Sequence, residues 1–145
     1  ATGTAVGVNA LLGRALGAGD GKRADQVAGL LRHLGVSSNE FVALFLNRSF
    51  DTLAGQLGIM KAGAAYLPIG VDYPTDRVAY MLEDSGARVL LTQSAHLKEL
   101  EGALGRVEHI LVMDEGQISG FGTHEELLAQ HGEYWQLAHG LKELD

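Results

Sequence analysis

Four groups of residues in this chain have types and spacings that could do chemistry. The first is ILVMDE, residues 110–115, an apolar run ending in acid. A carboxylate so placed at a strand end can hold Mg²⁺, but only against a nucleotide cradled by a phosphate loop. The preferred reading is a buried strand running into an Asp114-Glu115-Gly116 turn. The second group is GAGDGK, residues 17–22, which hints at such a loop. The pattern G-x-x-x-x-G-K-[ST] fails twice: Leu16 sits where the first Gly belongs, and Arg23 follows Lys22. No strand precedes it, so a loop leading into a helix is expected. The third group is six histidines, His33, His96, His109, His124, His131 and His139. They lack ligand spacing with a carboxylate partner, so surface positions are expected rather than a metal site. The fourth is Asp72, Asp76, Glu83 and Asp84, close enough in sequence to suggest paired catalytic carboxylates. Asp76 better suits the N-terminus of a helix, with the others solvated. No G-x-S-x-G elbow exists to place a nucleophilic serine. No catalytic, cofactor-binding or metal-ligating residue is assigned, and no cofactor is expected.

Composition narrows the classes further. The chain has 145 residues, enough for one domain with a real core, and 46% are apolar. Eleven basic against eighteen acidic side chains give a net charge of −7, which disfavours nucleic acid and anionic membrane as partners. With no Cys, disulfides and thiolate metal sites are excluded. No apolar run reaches the roughly 18–20 residues of a membrane helix, and the N-terminus lacks signal-peptide organisation. A cytoplasmic protein is expected.

The elements follow from periodicity. Residues 1–19 read as either a short helix or a loosely held lead-in, and residues 20–145 as one α/β domain. Val27, Leu30, Leu31 and Leu34 form a helical stripe ended by Gly35. FVALFL, residues 41–46, is a continuous apolar run suited to a strand covered on both faces. Ser49 can cap a helix with Leu53, Leu57 and Met60 inward, ending near Gly63. AAYLPI, residues 64–69, predicts a second strand stopped by Pro68. Thr75 is expected to cap a helix bearing Val78, Met81 and Leu82, stopped by Gly86. RVLLT (88–92) is a third strand, and Ser94 opens a helix with Leu97, Leu100 and Leu104. HILVM (109–113) is a fourth, turning at residues 114–116 into a short strand at 117–119. Thr123 and Glu126 make a capping box for a closing helical segment. Alternating strands and helical segments predict a three-layer, doubly wound, mostly parallel sheet of Rossmann-like or flavodoxin-like type. Four parallel strands in the order 2-1-3-4 and an antiparallel edge strand are expected.

Two stretches resemble known families. Residues 22–93 contain ADQVAGLLRHLGV, IMKAGAAYLPI and YPTDRVAYMLEDSGARVLLTQ. This run resembles the N-terminal part of a nonribosomal peptide synthetase adenylation domain, whose motif reads LKAGGAYVPI. After Pro-Ile that family usually has Asp-Pro, whereas Gly70-Val71 stand here. The resemblance implies a later Ser/Thr/Gly-rich phosphate loop, an Asn-x-Tyr-Gly-Pro-Thr-Glu stretch, a ribose-binding Asp and a catalytic Lys, none of which is present in these 145 residues. Residues 106–137, with HILVMDEGQISGFGTHEELLAQHGEYWQL, are similar to the end of an ABC-transporter ATPase domain. The two resemblances meet at the fourth strand. They imply an engineered or chimeric domain without native catalytic activity, hence not an enzyme. The alternative is a weak nucleotide- or anion-binding module from an adenylation-domain fragment. Its site would lie on the loops after Leu46, Ile69, Thr92 and Met113, with helix N-termini near Ser49 and Ser94. Tyr134, Trp135 and Leu137 could drive self-association if their helix stays undocked; no other partner is expected.

Overall fold

A computed structural model describes residues 18–135. In chain order these form α1 (Ala18–His33), β1 (Phe41–Phe45), α2 (Phe50–Lys61), β2 (Ala65–Pro68), α3 (Thr75–Ser85) and β3 (Val89–Thr92). A single 3-10 turn at Ser94–His96 follows, then β4 (His109–Asp114), β5 (Gln117–Gly122) and α4 (His124–Trp135). The strands make one sheet in the order β2-β1-β3-β4-β5. The first four are parallel, and β5 pairs antiparallel with β4. This is the expected doubly wound α/β architecture. Residues 1–17 of the expected lead-in lie outside the described residues.

The continuous apolar runs become the three central strands because both faces of the sheet are covered. Period-two alternation divides their side chains between two layers. Val42, Leu44, Val89, Leu91, Leu111 and Met113 pack with α1 and α2, through Val27, Leu31, Ala54 and Ile59. Ala43, Phe45, Leu90, Ile110 and Val112 pack with Val78 and Leu82 of α3, Leu97 and Leu100, and Leu127 of α4. Each Val, Leu, Ile, Phe or Met side chain among them that is fully removed from water contributes about 1.5–3 kcal/mol. β2 is the exposed edge, as a strand ending in Pro68 must be.

The structure departs from the sequence reading in four places. Leu57 of α2 is buried as expected, but Leu53 and Met60 stay 40% and 38% exposed, and Ala54 and Ile59 are buried in their stead. The inward face of α2 is set by a close helix–helix approach: a Cβ on Gly58 would stand 2.6 Å from Val27 Cβ. Pro74, rather than Thr75, is the N-cap of α3, without a side-chain cap. Its carbonyl accepts from the amides of Arg77 and Val78. The helix expected after Ser94 is only the 3-10 turn and a series of further turns. Gly102 and Gly105 there adopt φ of 82° and 57°, which interrupts helical bonding while Leu97 and Leu100 remain in the core. Finally, β5 runs to Gly122, longer than expected. The left-handed caps at Gly35 (φ 75°) and Gly86 (φ 67°) lie where the sequence placed them.

α2 joins β1 to β2 over one face of the sheet, and α3 joins β2 to β3 over the other. The connections therefore diverge between β1 and β3. A crevice at the carboxyl ends of those strands is where sheets of this kind take ligands.

Candidate functional site at the strand ends

The floor of the crevice is the buried Thr92, whose hydroxyl donates to the Phe45 carbonyl at 2.7 Å. Above it the chain leaves β1 through Asn47. The Asn47 amide donates to Gln93 Oε1 at 3.1 Å, and its carbonyl accepts from Thr52 Oγ1 at 2.7 Å. His96 closes the same side. Its ring meets the Phe45 ring edge-on at 5.1 Å, Nε2 lies 3.3 Å from Asn47 Oδ1, and Nδ1 is paired with Glu99. A shallow cleft beside it is lined by Phe45, Val71, Tyr73, Thr75, Val78 and Glu99.

Asp114, the acid of ILVMDE, is fully engaged. Oδ1 accepts from both the amide and the hydroxyl of Ser94 at 3.1 Å, and Oδ2 from Ser119 Oγ at 2.6 Å. A carboxylate so occupied is not presented to Mg²⁺, which agrees with the strand-and-turn reading. Gly116 then donates its amide to Asp51 Oδ2 at 3.3 Å. Asp51 is buried in the first turn of α2, with Arg23 Nη1 3.8 Å from Oδ1.

These contacts bear on the two expected anion sites. At α2 the Ser49 hydroxyl takes the Asp51 amide at 3.2 Å, and the Asp51 carboxylate itself sits on that N-terminus. At Ser94 no helix follows, and the amide is taken by Asp114. Acid already complements both positions, so neither offers the positive potential an anion needs.

The other sequence candidates are not brought together. Asp72, Asp76, Glu83 and Asp84 are all exposed. Asp76 Oδ1 accepts from the Arg77 amide at 3.0 Å in the first turn of α3, as its position suggested, and Glu83 faces Arg106 at 3.5 Å. Among the described residues no group of three His, Asp or Glu side chains could hold a metal. His96, His109 and His124 are only partly exposed, contrary to surface placement. His109 stacks on Phe121 at 6.0 Å, and His124 Nε2 bonds the Leu97 carbonyl at 2.7 Å. His139, Leu137 and the side chains of His131, Tyr134 and Trp135 lie outside the described residues. Among those described, no helix is long and apolar enough to cross a membrane.

A three-residue charge cluster lies at the opposite end of the sheet. Arg88 Nε donates to Glu40 Oε1 at 2.6 Å, and Nη1 lies 3.8 Å from Glu108 Oε2. The bonded guanidinium holds the Glu40 carboxyl below the usual carboxylate range, against the opposing effect of burial, and the Ser37 amide adds to the lowering. This cluster ties the starts of β1, β3 and β4, far from the crevice. Asp51 was not singled out from sequence, and His96 was weighed only as one of six surface histidines. Asp51 had one signal, an acid two residues after a capping serine; nothing in the spacing pointed His96 toward Asn47 and Glu99.

Comparison with known proteins gives a consistent relationship. A family model described as AMP-binding enzyme matches residues 21–138. Gramicidin S synthase 2 of Brevibacillus brevis is 52% identical over 71 residues, 49% of this chain and 2% of that protein. Tyrocidine synthase 3 of Brevibacillus parabrevis is 43% identical over 107 residues, 74% of this chain and 2% of that protein. The structure of the anthranilate CoA ligase AuaEII with anthranoyl-AMP is similar over 74% of this chain and 20% of that one, with 30% identity and a TM-score of 0.58. The chain thus spans a small part of the relatives it matches.

These matches overturn the reading of a designed or chimeric domain without native activity. One family model runs from α1 through β5 and α4, across the supposed junction at β4. The resemblance of residues 106–137 to an ABC-transporter ATPase is left without support.

Proposed function

The chain belongs to the AMP-binding enzyme family, and on that premise we propose that it is a scaffold unit of an amino-acid-adenylating enzyme of nonribosomal peptide synthesis. The observation that carries this reading is the 52% identity to a peptide synthase over 71 residues. The CoA ligase structure, at 30%, supports the fold and the family but favours an aryl acid less. Adenylate formation requires ATP and a carboxylate held in line with the phosphate charge neutralised. The crevice offers hydrogen-bonding groups already spent on one another and two carboxylates. The described crevice groups therefore do not supply phosphate neutralisation, and the chain contributes the sheet against which groups that do would close.

Two measurements test this. In the first, the stretch of gramicidin S synthase 2 that matches this chain is replaced by the residues of this chain, and amino-acid-dependent ATP–pyrophosphate exchange is followed. Retention within about ten-fold of the parent rate, roughly 1.4 kcal/mol of barrier, is expected. Complete loss in a hybrid that folds would overturn the assignment. In the second, the chain alone is melted with and without excess Mg-ATP. No shift is expected, and an upward shift of several degrees would place a nucleotide site within it.

A further inference from the structure

The loops at the carboxyl end of the sheet are joined in a closed circuit. Asn47, after β1, is bonded to Gln93 and His96, after β3. Ser94 is bonded twice to Asp114, at the end of β4. Gly116, in the β4–β5 turn, returns the circuit to Asp51 in the first turn of α2. The last link differs from the others. Asp51 is only 5% exposed, yet among the described residues its Oδ1 has no hydrogen-bond partner. Arg23 Nη1 stands 3.8 Å from that oxygen, close enough for attraction but too far for a hydrogen bond. A buried carboxylate satisfied on one oxygen gives up part of its hydration without full replacement. The turn it holds is itself strained. Glu115 adopts φ of 46°, in the left-handed region that non-glycine residues seldom occupy, and Gly116 follows at 81°. A Cβ on Gly116 would lie 3.1 Å from the Arg23 guanidinium.

We propose that the β4–β5 turn is a latch closed over the strand-end crevice and that Asp51 is the positioning residue that holds it shut. The circuit fills the crevice with the protein's own polar groups, and its least satisfied link is the one that spans the turn. Release of Gly116 lets the turn swing from α2. Asp114 begins that turn, so its bonds to Ser94 and Ser119 loosen with it. The crevice then opens on its β4 side while β1 and β3 stay paired. The latch stands on these contacts alone, independently of the adenylation reading.

Amide hydrogen exchange on the full chain tests this. In the unaltered protein, the Gly116 and Ser94 amides should exchange through a local opening that low urea does not accelerate. Amides of β1 and β3 should exchange only through urea-sensitive global unfolding. In Asp51→Ala, exchange at Gly116 and Ser94 should rise by about ten-fold or more, with β1 and β3 unchanged. Gly116→Ala should produce the same pattern with Asp51 intact, because the added Cβ meets the guanidinium at a φ that disfavours it. Global, urea-sensitive exchange of Gly116 in the unaltered chain would overturn the latch. So would unchanged exchange at Gly116 in folded variants, or equal acceleration throughout the sheet.

Discussion

The sharpest stability prediction concerns Gly58. Replacing glycine by alanine inside a helix ordinarily stabilises it by about 0.5–1 kcal/mol, because the unfolded chain loses freedom and the helix gains propensity. Here the added methyl would lie 2.6 Å from both Cβ and Cγ1 of Val27 and 2.8 Å from the Ala24 carbonyl oxygen. None of these atoms is the free end of a flexible side chain. Val27 is β-branched and stiff at χ1, and the oxygen belongs to the backbone of α1. Relief therefore requires α1 to move off α2 by about 1 Å, reckoned from the usual 3.5–4.0 Å separation of carbon atoms. Val27 and Leu31 of α1 are anchored in the core. Overpacking of this kind costs about 1–3 kcal/mol. Set against the propensity gain, Gly58→Ala should destabilise the domain by about 1–2 kcal/mol and lower Tm by roughly 3–8 °C. Gly29 is the control. It lies in α1, is exposed, and a Cβ there would meet nothing within 4 Å. Gly29→Ala should raise Tm by a few degrees. Thermal melts of the two variants must therefore move in opposite directions. Val27→Ala costs stability alone but should be less harmful in the Gly58→Ala background, a coupling of about 1 kcal/mol in a double-mutant cycle. A Gly58→Ala protein that melts at or above the parent temperature would refute the close-approach argument.

Two further predictions follow from the charged and capping groups. Glu40 has its folded pKa depressed, first by its bond to Arg88, so its contribution is present above the unfolded value of 4.5 and is lost as pH falls through the folded value. The urea midpoints of the parent and Glu40→Gln should differ at pH 7 and converge below about pH 4.5; a gap that widens in acid would show that the sign is wrong. At α4, Thr123 and Glu126 exchange reciprocal bonds of 3.2 Å, and these bonds hold the Glu126 carboxyl below its usual range. Thr123→Ala should speed amide exchange at Glu126 and return that carboxyl toward an ordinary pKa in an NMR titration, without changing exchange in β1.

The sheet was legible because its determinants are local. Continuous apolar runs at 41–46, 88–92 and 109–113 need cover on both faces, and the segments between them are the right length for crossovers. The caps at Gly35 and Gly86 were legible for the same reason. The segment after Ser94 was not. Leu97, Leu100 and Leu104 carry helical spacing, and their burial made the pattern real, but two left-handed glycines set the backbone. The inward face of α2 was hidden because the decisive residue, Gly58, has no side chain to enter a periodicity. The crevice circuit was hidden because its partners lie 20 to 65 residues apart and each is a common polar type. The chimeric reading failed because a likeness confined to residues 106–137 was weighed above the run that precedes it, whereas one family model spans residues 21–138.

The two ends of the sheet show how the unit divides its labour. At the amino end, charge is matched by charge: Arg88 spans Glu40 and Glu108 and fixes the spacing of three strands. At the carboxyl end, bonds between polar side chains and backbone amides close the crevice, and the charged groups among them include two carboxylates. A site meant to receive a triphosphate needs converging cations or free amides at a helix N-terminus. Of the helix N-termini at this end, that of α2 is capped by Ser49 and carries Asp51, that of α3 carries Asp76 in its first turn, and the Ser94 amide is taken by Asp114. The sequence carries a net charge of −7, so the wider field does not supply what the crevice lacks. This distribution of charge gives the described crevice little attraction of its own for a triphosphate, and it is the physical argument behind the proposal of a scaffold's part in adenylation.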